Sequence, residues 1–180
     1  MTLSYLLASA TAFFFISFLF AFFYLRALNT NGLWGGGKPG HHVHAAMTVG
    51  IIVLVSVLAS TALLRVALMQ LRARAAWRTA ALVSLLLGLV AVAVQIWQYT
   101  DLGFGPGDGG YASVCLGWTG FFSIILLVAM LRLETILAST RRLVAGPGVS
   151  HEAEVAGLSI VVNVLALVEI AAFVLLYVVT

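Results

Sequence analysis

The chain has 180 residues, of which 63% are hydrophobic and 8% charged, with a formal net charge of +3. A soluble domain carries about 25% charged residues, so this composition excludes an ordinary water-soluble fold and makes lipid the solvent for most of the surface. The small positive charge is explained by the arginines that flank the apolar stretches, which gives no reason to expect a nucleic-acid partner.

The apolar stretches are five, at 2–25, 44–64, 79–99, 111–131 and 155–179. Each can cross a hydrocarbon core of about 30 Å, which takes roughly 20 helical residues at about 1.5 Å each. The first lacks a basic start, is too long for the apolar part of a signal peptide, and runs into the bulky Phe22-Phe23-Tyr24-Leu25-Arg26 instead of a small-residue cleavage site. It is expected to be a retained helix. Residues 1–180 then read as a single domain, an all-α, polytopic five-transmembrane-helix bundle, with no internal repeat of the kind that builds inverted-repeat transporters.

Charge sets the expected topology. Arg65, Arg72, Arg74 and Arg78 cluster around the second connection, and Arg141 and Arg142 lie in the fourth. Both should face the cytoplasm. The third connection, 100–110, has Asp101 and Asp108 and no base, which suits the opposite side. Five crossings then put the N-terminus in the cytoplasm and the C-terminus outside.

Few residues could carry chemistry. His41, His42 and His44 form the one imidazole cluster, and imidazole is a common ligand for zinc and copper. The cluster sits in a Gly/Pro-rich loop with no carboxylate or cysteine within ten residues. Solvated interfacial histidines are the favoured reading, and a copper-binding enzyme subunit is the rival. A haem held by this chain would need an axial ligand inside the bundle, and no histidine falls there, so no cofactor is expected in the chain itself. Cys115 is the single cysteine, so neither an internal disulfide nor a cysteine-based metal cluster is available.

Ionisable residues within spans are the default functional candidates, because placing one in hydrocarbon costs about 2.5 to 3.5 kcal/mol on insertion scales. Glu169 is the clearest, flanked by Leu167, Val168, Ile170 and Ala171 with no base on its span. Such a carboxyl is held as the neutral acid or paired with another helix or subunit. A small proton- or ion-coupled transporter or channel built on Glu169 is therefore a second rival. Asn163 reads as interhelical hydrogen-bond glue. Gln95 and Gln98, three residues apart, share a helix face and should pack on a neighbour. Gly88 and the segment Gly117-Trp118-Thr119-Gly120 let helices approach closely. Arg132 and Glu134, near the end of the fourth span, are expected to reach the headgroups by snorkelling.

Read in order, Leu87-Gly88, Gln95, Gln98-Tyr99, Tyr111-Ala112-Ser113 and Thr119-Gly120-Phe121-Phe122-Ser123-Ile124-Ile125 resemble the helices of subunit III of the haem-copper terminal oxidases, the cytochrome c oxidase family. Ser9-Ala10-Thr11-Ala12-Phe13-Phe14, Ala21-Phe22-Phe23-Tyr24-Leu25-Arg26 and Leu176-Tyr177-Val178-Val179 extend the similarity to the first and last spans. It covers nearly the whole chain, matched to the last five helices of the seven-helix form. The departures are systematic. Ala10 stands where the family usually has an intramembrane glutamate, Gln98 replaces a second glutamate, Phe122 and Ile125 replace two histidines, and Asn163 and Glu169 fall at a histidine and a tryptophan of the last helix.

The resemblance implies an accessory, non-redox subunit that packs beside the catalytic subunit I and other respiratory-complex subunits. Haem and copper would belong to those partners, and phospholipid would be bound between helix groups, in a bacterial plasma membrane. Lipid contact is expected mainly from the first two helices and subunit contact from the last three. The complex as a whole would reduce oxygen and pump protons, with electrons from cytochrome c or quinol. Roles that the family gives to its glutamates and histidines do not carry over.

Overall fold

The computed structural model describes residues 2–29, 34, 45–142 and 149–179. Five helices follow in chain order: α1 (Thr2–Ala27), α2 (Met47–Arg72), α3 (Arg78–Asp101), α4 (Gly110–Arg142) and α5 (Val149–Phe173), the last continued by a π-helical turn over Val174–Val178. All five are long and apolar enough to cross a membrane, and no strand occurs among the described residues. The chain is thus an all-helical integral membrane protein. His41, His42 and His44 lie outside the described residues.

Two helices run on well past the C-terminal ends of their apolar stretches, and α5 begins six residues ahead of its own. α2 continues eight residues past Leu64, through Arg65-Val66-Ala67-Leu68-Met69-Gln70-Leu71-Arg72, and α4 runs on past Leu131 to Arg142. Those extensions consist mostly of Ala, Leu, Met, Gln, Arg and Glu, all strong helix formers, so the helix persists where hydropathy falls. Arg65 consequently sits inside α2 and not in the second connection.

That connection, residues 73–77, is short enough to force α2 and α3 into an antiparallel hairpin. Arg74 takes the turn at φ 55°, in the left-handed region that side chains adopt at a cost. Around the bundle, α2 packs on α3, α3 on α4, α4 on α1 and α1 on α5, and α5 closes the ring on α2 while also touching α4. α1 contributes least to the interior. Its buried residues, Ala8, Thr11, Phe15 and Phe22, form one narrow stripe at helical spacing, and the rest of the helix faces outward. Phe15 on that stripe and the neighbouring Phe18 meet Trp118 of α4 at centroid distances of 5.9 and 6.2 Å.

Small residues set how closely the helices approach. A Cβ on Gly88 would collide with the sulfur of Met130, one on Gly117 would stand 2.9 Å from the Phe18 ring, and one on Gly50 would stand 2.8 Å from Cζ of Tyr177. Between α2 and α3, Ser60 and Ser84 each donate to the other's backbone carbonyl at 2.8 Å, a closed pair that leaves no hydroxyl unsatisfied in lipid. At the second-connection end, Arg72 of α2 and Arg132 of α4 reach Glu152 and Glu154 of α5 at 3.1 and 3.6 Å. Arg132 therefore pairs with a neighbouring helix. These pairs are half-exposed, so each is worth at most about 1 kcal/mol.

Replacing Gly88 by Val should overpack the α3–α4 contact and lower stability by about 1–3 kcal/mol. Thermal unfolding in detergent checks this, and adding Met130→Ala should recover part of the loss.

Candidate functional site

Several buried polar groups, linked from helix to helix, lie at the end that carries the third connection, while Ser60, Thr61, Ser84, Ser159 and His151 are buried elsewhere in the bundle. Gln95 and Gln98 of α3 are 3% and 4% exposed. The Gln95 amide donates to Oε1 of Gln98 at 2.7 Å, and the Gln98 amide lies 3.4 Å from the hydroxyl of Tyr177, in the π-helical turn. One residue on, Tyr99 donates to Oγ1 of Thr119 on α4 at 2.8 Å. Thr119 and Ser123 each donate back to the carbonyl four residues earlier, of Cys115 and Thr119. The shared face expected for the two glutamines is present. It serves them first as partners to each other and then as a link to α5.

Tyr111 closes the lattice. Its hydroxyl accepts the backbone N–H of Ala45 at 3.2 Å and donates to the carbonyl of Leu176 at 2.9 Å. A π turn displaces the carbonyls from their usual partners, and Leu176 finds this one in another helix. Tyr177 lies against Gly50 with its ring stacked on Phe173 at 5.6 Å. Three tyrosines thereby join the start of α2, the end of α3, the start of α4 and the end of α5.

Beneath Trp97 and Phe104, a crevice of about 150 Å³ opens at this same end. It is lined also by Ala46, Val49, Asp101 and Gln98. The amide of Gln98 thus belongs both to the crevice and to the lattice.

Glu169 lies deeper. It is 4% exposed, about 12 Å of helix rise before Tyr177, and has no hydrogen-bond or ionic partner among the described residues. Asn163 is separate from this group. Its Oδ1 accepts from Nε of Arg65 at 2.8 Å, tying α5 to α2 nearer the second connection. Hydropathy gives no hint of an arginine at this level, because it assigns Arg65 to the connection.

At the opposite end a serine and a histidine approach each other, with Oγ of Ser139 3.3 Å from Nε2 of His151. Ser139 also contacts the carbonyl of Ile136 at 2.8 Å, and Nδ1 of His151 is buried without a partner. The pair has no third group, among the described residues, to orient the imidazole as a base. Among the described residues, no three His, Cys, Asp or Glu side chains come together as a metal set.

The amino-acid pattern points to Gln95, Gln98, Asn163 and Glu169 but not to their partners. Tyr111 and Tyr177 stand out only through the family resemblance, and Thr119 through that resemblance and a small-residue segment; nothing in the sequence says which groups their hydroxyls bond. Nothing in the sequence announces Gly50 as the seat of the Tyr177 ring. No family model matches the chain, and no significant similarity to a curated protein is found.

Tyr111→Phe would remove one hydroxyl and leave both the Ala45 N–H and the Leu176 carbonyl without their partner. The expected loss is about 1–3 kcal/mol, measurable as a lower midpoint in denaturant unfolding of the detergent-solubilised protein.

Proposed function

We propose that this chain is an accessory, non-redox subunit of a haem-copper respiratory terminal oxidase, a diverged five-helix relative of subunit III. In this reading it stabilises the catalytic subunit and binds phospholipid while the complex reduces oxygen and pumps protons. Haem and copper sit in partner subunits. The membrane is a bacterial plasma membrane, with the arginine-rich second and fourth connections in the cytoplasm and the third connection outside.

One observation carries the proposal. The residues that give the chain its resemblance are scattered over four helices, yet they meet in one buried arrangement. Gln98 reaches Tyr177, Tyr99 reaches Thr119, Tyr111 reaches Leu176, and Gly88 receives Met130. On α1, buried Phe15 meets buried Phe122 of α4 at a centroid distance of 6.5 Å, and outside them the exposed rings of Phe14 and Phe121 meet at 5.1 Å. Neighbouring helices touch in any bundle, so the support lies in these residues being among those that make the contacts, while residues such as Phe13 and Phe20 of α1 face outward. The convergence supports treating the motif order as one inherited packing scheme.

The physical role follows from what the helices leave uncovered. Large apolar side chains such as Leu3, Phe13, Phe20 and Trp97 are more than half exposed, and in a membrane they are covered by lipid or by other transmembrane helices. Association in lipid comes from packing and interhelical hydrogen bonds, and a bundle held rigid by its own polar lattice offers a fixed surface for it.

Affinity purification of the tagged chain in mild detergent should bring down a haem-containing partner, visible as a reduced-minus-oxidised haem spectrum, together with a catalytic subunit identified by mass spectrometry. The chain freed from that partner should carry no haem. A monomeric preparation without an associated haem protein, or one with haem of its own, would contradict the proposal.

A further inference from the structure

Charge is balanced in pairs at the second-connection rim, where Arg72 meets Glu152 and Arg132 meets Glu154. Arg65, further into the bundle on α2, is not balanced in this way. Its Nε donates to the neutral amide oxygen of Asn163, and among the described residues the guanidinium has no carboxylate and no second partner. We propose that the outward face of the α2–α5 seam around Arg65 is the docking site of a transmembrane helix from another protein, one that carries an aspartate or glutamate within its apolar span to pair with this guanidinium.

The side chain is exposed, so the four N–H groups on its terminal nitrogens face away from the bundle. They also sit below the rim. Arg65 precedes Arg72 by seven residues, about 10 Å of rise, and Asn163 follows Glu152 by eleven, about 16 Å. The four extra residues on α5, about 6 Å, mean that the Arg65 side chain slants further toward the third connection than that of Arg72. Helical side chains lean toward the N-terminus of their helix, which for α2 is that same direction. A snorkelling arginine does the opposite and carries its charge to the nearer surface. A lipid phosphate would have to sink by about 10 Å to meet this group, whereas a carboxylate on a neighbouring helix can stand at any depth. Ionised residues inside spans characteristically pair with one another.

The surrounding face suits a helix. Leu58, Ala62 and Met69 of α2 are exposed on the stripe that contains Arg65, and Leu167 and Ile170 of α5 are exposed on the stripe that contains Asn163. Along each helix these residues are three or four apart, the spacing of one helical face. The Arg65–Asn163 bond sets the two stripes against each other at that level. An apolar helix with one acid can therefore lie along the seam and meet the guanidinium.

A second copy of this chain does not supply the acid. The chain has six carboxylates. Glu152 and Glu154 are paired at the rim, Glu134 lies two residues past Arg132 on the side away from the bundle centre, and Asp101 and Asp108 are at the opposite end. Glu169 is buried inside its own bundle. The site thus calls for a different protein. The oxidase reading asks for partner subunits but assigns no surface to them, and this docking face does not depend on it.

Photo-crosslinking in the native membrane tests the proposal. With p-benzoylphenylalanine in place of Met69 or Leu167, illumination should join the chain to another membrane protein. Mass spectrometry should locate the joined peptide in a transmembrane segment with an Asp or Glu within about one turn of the crosslink. Arg65→Gln, which keeps an N–H donor for Asn163 and removes the charge, should lower the yield roughly tenfold or more, and Arg65→Glu should do the same. Arg65→Lys should keep most of it. Changing the partner's acid to Arg should restore crosslinking to Arg65→Glu, which also shows that this variant folds. Adducts with lipid alone, with a second copy of this chain or with a segment that has no acid would overturn the proposal, as would an unchanged yield in Arg65→Gln. The oxidase reading is decided separately, by whether the wild-type chain brings down a haem protein.

Discussion

A polar group inside a lipid-embedded bundle must find its partner within the protein, and the hydroxyl of Tyr111 is where this constraint is met most economically. With one accepted and one donated bond, to Ala45 and Leu176, it holds the entrance of α2 and the π turn of α5 against the start of α4. Both backbone groups lie at helix ends and lack a partner within their own helix. The rest of the lattice depends on this placement. With α5 fixed at Leu176, Tyr177 is held over Gly50 and its hydroxyl meets Gln98. With α4 fixed at Tyr111, Thr119 comes within reach of Tyr99.

Two kinds of contact therefore divide the work along the bundle. Towards the second connection the core is mostly apolar, closed by glycine against methionine and by the serine pair, with Arg65 bonded to Asn163 and half-exposed ion pairs at the rim. Towards the third connection it is held by hydroxyls and amides. Both kinds specify register: the Met130 side chain fits only at Gly88 and the serines bond only to each other, while the hydroxyls and amides of the polar end fix which residue of α5 stands opposite which residue of α2 and α3.

Much of this architecture is legible in the amino-acid sequence. The five helices follow from length and hydropathy, and the close approaches at Gly88 and Gly117 follow from residue size. Helix ends are less legible. Past Leu64 and Leu131, charge lowers hydropathy although the residues still favour helix, and so hydropathy alone puts Arg65 in a loop. The candidate site is legible in part. Amides and a carboxyl in an apolar run stand out, which is why Gln95, Gln98, Asn163 and Glu169 are recognisable. Their partners are not, because which helices face each other depends on packing that a single sequence does not display. The π turn at Val174–Val178, on which the position of Tyr177 rests, has no sequence signature either.

The central claim is that the tyrosines and glutamines at the third-connection end act as one cooperative unit that fixes α5. A double-mutant cycle between Tyr111→Phe and Tyr177→Phe, measured by reversible unfolding in detergent, tests it most directly. The two hydroxyls serve different partners, so isolated contacts would give losses that add within about 0.3–0.5 kcal/mol. A unit held together through the π turn predicts a coupling energy of about 0.5–3 kcal/mol, the second substitution costing less once the first is in place. Strict additivity would contradict the account.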